Sequence, residues 1–189
     1  MASPVRKRAT YEDLLQVSQD KIAEIVDGDL YASPRPAIPH SVSGAALTAD
    51  LGGPFQFGRG GPGGWWILYE PELHLLDDVL VPDLAGWRRE RMPRPPDAPA
   101  VEIAPDWVCE ILSPSTERLD RAKKLPAYAR HRVAHAWLVN PAARTLEVLR
   151  REAERWLLVA TFADDALVRA EPFEAVELDL LHLWGEARA

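Results

Sequence analysis

Hydrophobic and polar positions recur along this chain with two different periods, and each change of period marks an element. Thr10-Tyr-Glu-Asp-Leu-Leu-Gln-Val predicts a short helix, with Thr10 as its N-cap and Glu12 and Asp13 in the first turn. Ala23-Glu-Ile-Val-Asp-Gly-Asp-Leu-Tyr predicts two short strands around the turn Asp27-Gly28. Ser33-Pro-Arg-Pro-Ala-Ile-Pro reads as a loop, and Ser41 to Leu51 carries weak helical periodicity. Residues 52–64 hold seven glycines and read as a flexible loop, without the Lys-Ser/Thr ending of a phosphate-binding loop. From Trp65 onward the pattern is strand-like. Segments 65–70, 73–76 and 79–87 are spaced as in a meander, broken by Pro71 and by Asp77-Asp78. After a proline-rich loop from Pro93 to Pro105, Asp106-Trp-Val-Cys-Glu-Ile-Leu is almost continuously apolar, as expected of a strand covered on both faces.

Ser113-Pro-Ser-Thr then opens a helix from about Glu117 to Arg130, which Pro126 should kink or re-start. An apolar strand at Ala134–Val139 follows, and Thr145–Arg150 with Arg155–Ala160 read as a closing hairpin. No internal repeat is visible. The order predicts one mixed α/β domain over residues 10–184, a central sheet flanked by helices. A flexible basic N-terminus at 1–9 and a C-terminal tail at 185–189 frame it.

Composition supports this and narrows the class. The 189 residues suit one domain, and 47 % hydrophobic with 27 % charged residues is globular rather than disordered. There is no apolar run of membrane-spanning length, and Arg6, Lys7 and Arg8 are not followed by the apolar stretch of a secretory signal. A lone Cys109 builds neither a disulfide framework nor a zinc site. The expectation is a soluble cytoplasmic protein with no membrane partner.

The net charge of −7 argues at first against a nucleic-acid partner, because phosphate binding draws on Lys and Arg. The charge is uneven, however. Residues 9–83 carry a net −9 and residues 156–189 a net −5, but residues 84–155 are net +4. Within them Arg88, Arg89, Arg91, Arg94 and Arg118, Arg121, Lys123, Lys124 form two dense clusters. These fit either an anionic partner or a solvated mixed surface.

Two carboxylates stand where apolar residues are expected: Asp83 within Val79–Trp87 and Glu110 within Asp106–Leu112. A charge on a core strand is costly unless it is paired or binds a metal. Alternation puts Asp83 on a face with Val81 and Ala85, and Glu110 on a face with Val108 and Leu112. On neighbouring strands the two could share Mg²⁺, a hard ion needing only one or two carboxylates. On the next helix Asp120, Lys124 and Tyr128 share one face, while Leu119, Ala122, Pro126 and Ala129 offer an apolar stripe for the sheet. A lysine beside a metal held by two carboxylates suits phosphoryl hydrolysis. The bland alternatives are a rim carboxylate in water and a surface Asp120–Lys124 pair.

Val81-Pro-Asp83-Leu, Pro105-Asp-Trp-Val-Cys-Glu110-Ile-Leu-Ser-Pro-Ser-Thr and Asp120-x-x-x-Lys124-x-x-x-Tyr128 together resemble the bacterial family of putative restriction endonucleases. That family was long described as a domain of unknown function and belongs to the PD-(D/E)XK nuclease superfamily. Ala23-Glu24-Ile-Val-Asp-Gly and Val133-Ala-His-Ala-Trp-Leu-Val-Asn-Pro fit as well. The resemblance implies a restriction-endonuclease-like core and a Mg²⁺-dependent endonuclease acting on DNA, with Mn²⁺ able to substitute. It implies Asp83 and Glu110 as metal ligands, with the Ile111 carbonyl as a further donor, and Lys124 orienting the attacking water. Glu24 matches an acidic position that joins the metal shell, or is a plain strand-edge carboxylate. The superfamily's lysine falls two residues after the acid, where this chain has Leu112. Lys124 on the helix takes its place by spacing, ahead of Lys123.

Other residues read more simply. His40 is a loop histidine able to meet phosphate or water, Trp65 and Trp66 suit the core, and Cys109 is a small buried hydrophobe. The other histidines lack zinc spacing. The competing function is a nuclease-fold module without turnover that binds nucleic acid or protein, favoured by Leu112 and the acidic charge. A two-carboxylate glycosidase explains neither Lys124 nor the basic segment. A homodimer through the edge of the closing hairpin is also open.

Overall fold

The computed structural model describes residues 7–188, in which a six-stranded sheet, a four-stranded sheet and a two-stranded ladder are connected by short helices. The larger sheet is mixed and contains β3 (Trp65–Tyr69), β6 (Leu84–Arg88), β7 (Trp107–Ile111), β8 (His135–Asn140), β9 (Thr145–Glu152) and β10 (Arg155–Ala163). Its order is β10-β9-β8-β7-β6-β3, with only β7 and β8 parallel. A smaller antiparallel sheet is formed by β1 (Lys21–Val26), β2 (Asp29–Pro34), β4 (Leu73–Leu75) and β5 (Asp78–Leu80), in the order β2-β1-β5-β4. Near the C-terminus β11 (Leu167–Val168) pairs with β12 (Leu178–Asp179).

The predicted first helix is α1 (Tyr11–Leu15), closed by a capping box between Thr10 and Asp13. The turn between β1 and β2 uses positive φ at both Asp27 and Gly28, as a two-residue hairpin requires. The basic N-terminal expectation falls largely on residues 1–6, outside the described residues. At its end, Ala9 N–H donates to the Gly28 carbonyl and Arg8 pairs with Asp77.

Strand β7 explains its own apolar run. Trp107, Cys109 and Ile111 face a core shared with helix α2 (Ile38–Leu51) and the C-terminal segment, where Trp107, Trp137 and Phe173 meet edge to face. Val108 and Leu112 face a second core shared with the smaller sheet and the helix that follows β7. Glu110 has the parity of this second face.

Four expectations need correction. Val79–Trp87 is not one strand: β5 and β6 belong to different sheets, because Pro82 has no N–H to give a ladder and the chain changes sheets there. For the same reason segments 65–87 are no meander, since β3 pairs with β6 and β4 with β5. Helix α2 begins earlier than the periodicity shows, at Ile38, with Pro39 tolerated in its first turn. Its winding also runs into the glycine-rich segment as a π turn at Gly52–Gln56, so the flexible loop is shorter than expected.

The fourth correction concerns the helix after β7. Segments Glu117–Leu119, Asp120–Lys124 and Leu125–Arg130 run together as one helix, α3, with a π turn in the middle. The Leu125 N–H donates to the Asp120 carbonyl, one residue further back than in an α-helix. Pro126 cannot close the next ordinary bond, and the wider turn accommodates it. Asp120, Lys124 and Tyr128 all face inward. Ala122 and Pro126, half of the expected apolar stripe, face solvent instead.

Candidate active site

The crossing at Pro82 places Asp83 at the end of β6. Because Leu84 pairs with Cys109, Asp83 lies beside the next residue of β7, Glu110. One Asp83 oxygen accepts the Ile111 N–H at 2.6 Å, and the other meets His40 Nε2 at 3.0 Å. His40 comes from the start of α2, where the helix lies close against the sheet. A Cβ on Gly44, one turn further along, would sit 3.1 Å from the Tyr69 ring and 3.5 Å from Ile111 Cδ1. Glycine there lets His40 approach Asp83.

Lys124 is the hub of the other half. Its ammonium is 2.9 Å from Glu24 Oε1, 3.0 Å from Glu110 and 3.8 Å from Asp120, and it donates to the Val81 carbonyl at 3.0 Å. The Tyr128 hydroxyl donates to Glu110 Oε1 at 2.6 Å. Glu24 also accepts the Val81 N–H at 2.7 Å, so the smaller sheet, the crossing and α3 meet at one point. Glu110 is 2 % exposed, Lys124 3 %, Glu24 and Asp120 4 %. Asp83 is the most open of the acids, with its side chain 13 % exposed.

This is an excess of buried negative charge. Burial pushes the Glu110 carboxyl far above the usual carboxylate range, offset in part by Lys124 and reinforced by Asp120, Asp83 and Glu24. Burial likewise pushes Asp120 up to about 6. For Lys124 burial works toward the neutral amine, but Glu110, Glu24, Asp120 and Asp83 outweigh it and hold the ammonium. His40 is also raised, because the hydrogen bond and charge of Asp83 exceed the effect of burial.

These side chains floor a cavity of about 280 Å³ walled by the Ser33–Ala37 loop and by Ser113–Thr116. Among the described residues no group of three or more His, Cys, Asp or Glu side chains is arranged as a ready metal cage. The Lys124 ammonium stands among Glu24, Glu110 and Asp120 in that role. The chemistry nevertheless suits a hard cation. Asp83 and Glu110 share the cavity, one or two carboxylates suffice for Mg²⁺, and added positive charge relieves the raised Glu110 and Asp120.

The structure therefore brings Asp83, Glu110, Lys124 and Glu24 together and adds three residues. Asp120 and Tyr128 carried the helical spacing but no assigned role. His40 is a buried helix residue on Asp83, not a loop histidine. Lys123 has no contact with the carboxylates, and Cys109 lies on the opposite face of β7, its thiol pushed up by burial. The basic cluster beginning at Arg88 is at the far end of β6 from Asp83. There Arg88 stacks on Trp65, Arg89 on Trp66, and Arg91 pairs with Asp106.

A mixed sheet with an acidic pair on adjacent antiparallel strands, and a lysine from the next helix, defines a mixed α/β protein with its candidate site where one helix meets the sheet. Residues 8–181 match the Uma2 family, described as putative restriction endonuclease, and the chain belongs to that family. The fold is similar to that of a putative nuclease belonging to DUF820 from Anabaena variabilis, with a TM-score of 0.74 and 24 % identity. The match covers 94 % of this chain and 98 % of that one. No curated protein matches. Among the described residues no helix is long and apolar enough to cross a membrane.

Proposed function

We propose that this protein is a Mg²⁺-dependent endonuclease that hydrolyses phosphodiester bonds in DNA, with Asp83, Glu110 and Lys124 as its catalytic residues. Family membership supports a nuclease acting on nucleic acid. The observation that carries the residue assignment is the convergence of these three side chains on one cavity floor, where the buried acids outnumber the one lysine among them.

Asp83 and Glu110 would hold the metal, with Glu24 beside them. When bound, the ion would lower the pKa of a water and neutralise charge on the phosphate. The chain's own residues do the rest. His40 and the Ile111 N–H fix Asp83 in place, and Tyr128 fixes Glu110. Lys124, kept protonated by its carboxylates, orients the attacking water and stabilises the negative charge that builds on phosphorus-bound oxygen. The attacking water gives up a proton to solvent as its oxygen bonds to phosphorus, the bond to the leaving sugar oxygen breaks, and that oxygen takes up a proton from solvent.

A second reading, a nuclease-fold binding module without turnover, is favoured by Leu112 at the superfamily's lysine position and by Lys124 standing between the carboxylates. Purified protein with Mg²⁺ or Mn²⁺ and DNA separates the two. The endonuclease cleaves, and Asp83→Asn or Glu110→Gln reduces cleavage at least 10²-fold, the scale of losing one electrostatic catalyst. Free-Mn²⁺ signal in electron paramagnetic resonance should fall with wild type and not with Asp83→Asn. Cleavage untouched by either substitution contradicts the assignment, while metal-independent DNA binding without cleavage supports the module.

A further inference from the structure

The shape and charge of the cavity mouth bear on which form of nucleic acid reaches the floor. We propose that the substrate strand is unpaired: the site takes a single-stranded or frayed phosphodiester and not one within an intact duplex. This rests on the nuclease reading above.

The first observation is depth. Glu110 and Lys124 are almost fully buried beneath a cavity of about 280 Å³, at the small end of the ~300–1,000 Å³ of small-molecule sites. Its walls are two loops, Pro34-Arg35-Pro36 on one side and Ser113-Pro114-Ser115 on the other. A duplex is stiff over about 150 base pairs and carries its paired strands as one rigid body. Enzymes that take a base into a recessed pocket act on single strands or extrude the nucleotide, and a phosphodiester drawn to the floor of a narrow recess meets the same demand. An unpaired strand can lower one phosphate to the acidic floor and lay its sugar and base on the proline walls.

The second observation is independent and concerns cations. Duplex binders that neutralise many phosphates carry a broad basic surface around the site. Here most arginines of the basic middle are engaged elsewhere. Arg121 pairs with Glu117 and Glu147, Arg130 with Asp27 and Asp78, and Arg150 with Glu171. Arg88, Arg89 and Arg91 are held at the opposite end of β6, as described above. Arg35 lines the cavity with Lys124, and Arg118 is exposed on the same helix as Asp120. So small a set of cations suits a few phosphates of one strand rather than the two backbones of a duplex.

The test uses the wild-type chain with Mn²⁺ and three labelled DNAs of one sequence: single-stranded, fully paired, and paired with an unpaired overhang. The expected result is cleavage of the single strand at least tenfold faster than of the duplex, with cuts in the third substrate confined to its overhang. Arg35→Ala and Arg118→Ala should raise KM for the single strand several-fold with little change in kcat, whereas Arg88→Ala should leave both unchanged. Duplex cut as fast as single strand overturns the inference and leaves the nuclease reading standing. No cleavage of any of the three overturns the nuclease reading and this inference with it.

Discussion

The two faces of strand β7 make opposite use of one short sequence. On one face Trp107, Cys109 and Ile111 pack with α2 and Phe173 in a core of aromatic and aliphatic side chains. On the other, Glu110 lies between Val108 and Leu112 and draws Lys124, Glu24, Asp120 and Tyr128 into the protein with it. The first face gains from burial in proportion to its apolar area. The second is costly to assemble, since each ion there loses its hydration and recovers it only through partners. A fold keeps such a face when the buried charges have work to do.

The contrast is sharpened by removing one residue from each side. Trp137→Ala on the apolar face should cost about 3–5 kcal/mol, much of the roughly 5–15 kcal/mol of a typical domain. That loss, read from urea unfolding, should be the same at pH 5 and pH 8, because no titrating group is exposed by the cavity. Lys124→Met on the charged face should cost a similar amount at pH 8, about 3–5 kcal/mol, by leaving carboxylates unpaired. Its loss should shrink markedly at pH 5, where Glu110 and Asp120, both raised by burial, take up protons. Equal losses at both pH values for Lys124→Met would break the comparison.

A smaller effect has the opposite sign. Asp120 has a folded pKa of about 6 against an ordinary 3.8, raised chiefly by burial. Between those values the folded protein binds more protons than the unfolded one, so this group's contribution to stability falls as pH rises. Asp120→Asn should therefore stabilise the metal-free protein above pH 7, by up to about 3 kcal/mol from a shift of about two pH units. The gain should vanish as pH drops below 4. Mg²⁺ should narrow it, since the ion relieves the same repulsion. Thermal melts of both proteins with and without the ion check this, and a destabilised variant at pH 8 contradicts it.

Much of the site is legible in the sequence. Glu110 stood out because a charge interrupted an apolar strand, and Lys124 because its spacing from Asp120 and Tyr128 is helical. The elements around them, the capped first helix, the Asp27-Gly28 hairpin and the closing hairpin, follow from local turn and capping chemistry. The change of sheet at Pro82 was hidden, since Val79–Trp87 keeps one apolar rhythm across two strands. Asp120 and Tyr128 carry no assigned role in the sequence because a polar helix face is normally solvated, whereas here it packs inward around Glu110. His40 depends on the close approach at Gly44, a tertiary contact with no local signature. The arginines at 88, 89 and 91 stay ambiguous in the sequence because a charge count along the chain does not say at which end of a strand the charge emerges.

The most direct measurement of the central claim compares wild type with Glu110→Gln, which keeps the shape of the side chain and removes its charge. Incubated with DNA and Mg²⁺, wild type should accumulate 5′-labelled fragments that EDTA suppresses. A folded Glu110→Gln protein, verified by an unchanged or higher melting temperature, should produce them at least 10²-fold more slowly. Equal cleavage by the two proteins would contradict the assignment of the charged face of β7 as the catalytic centre.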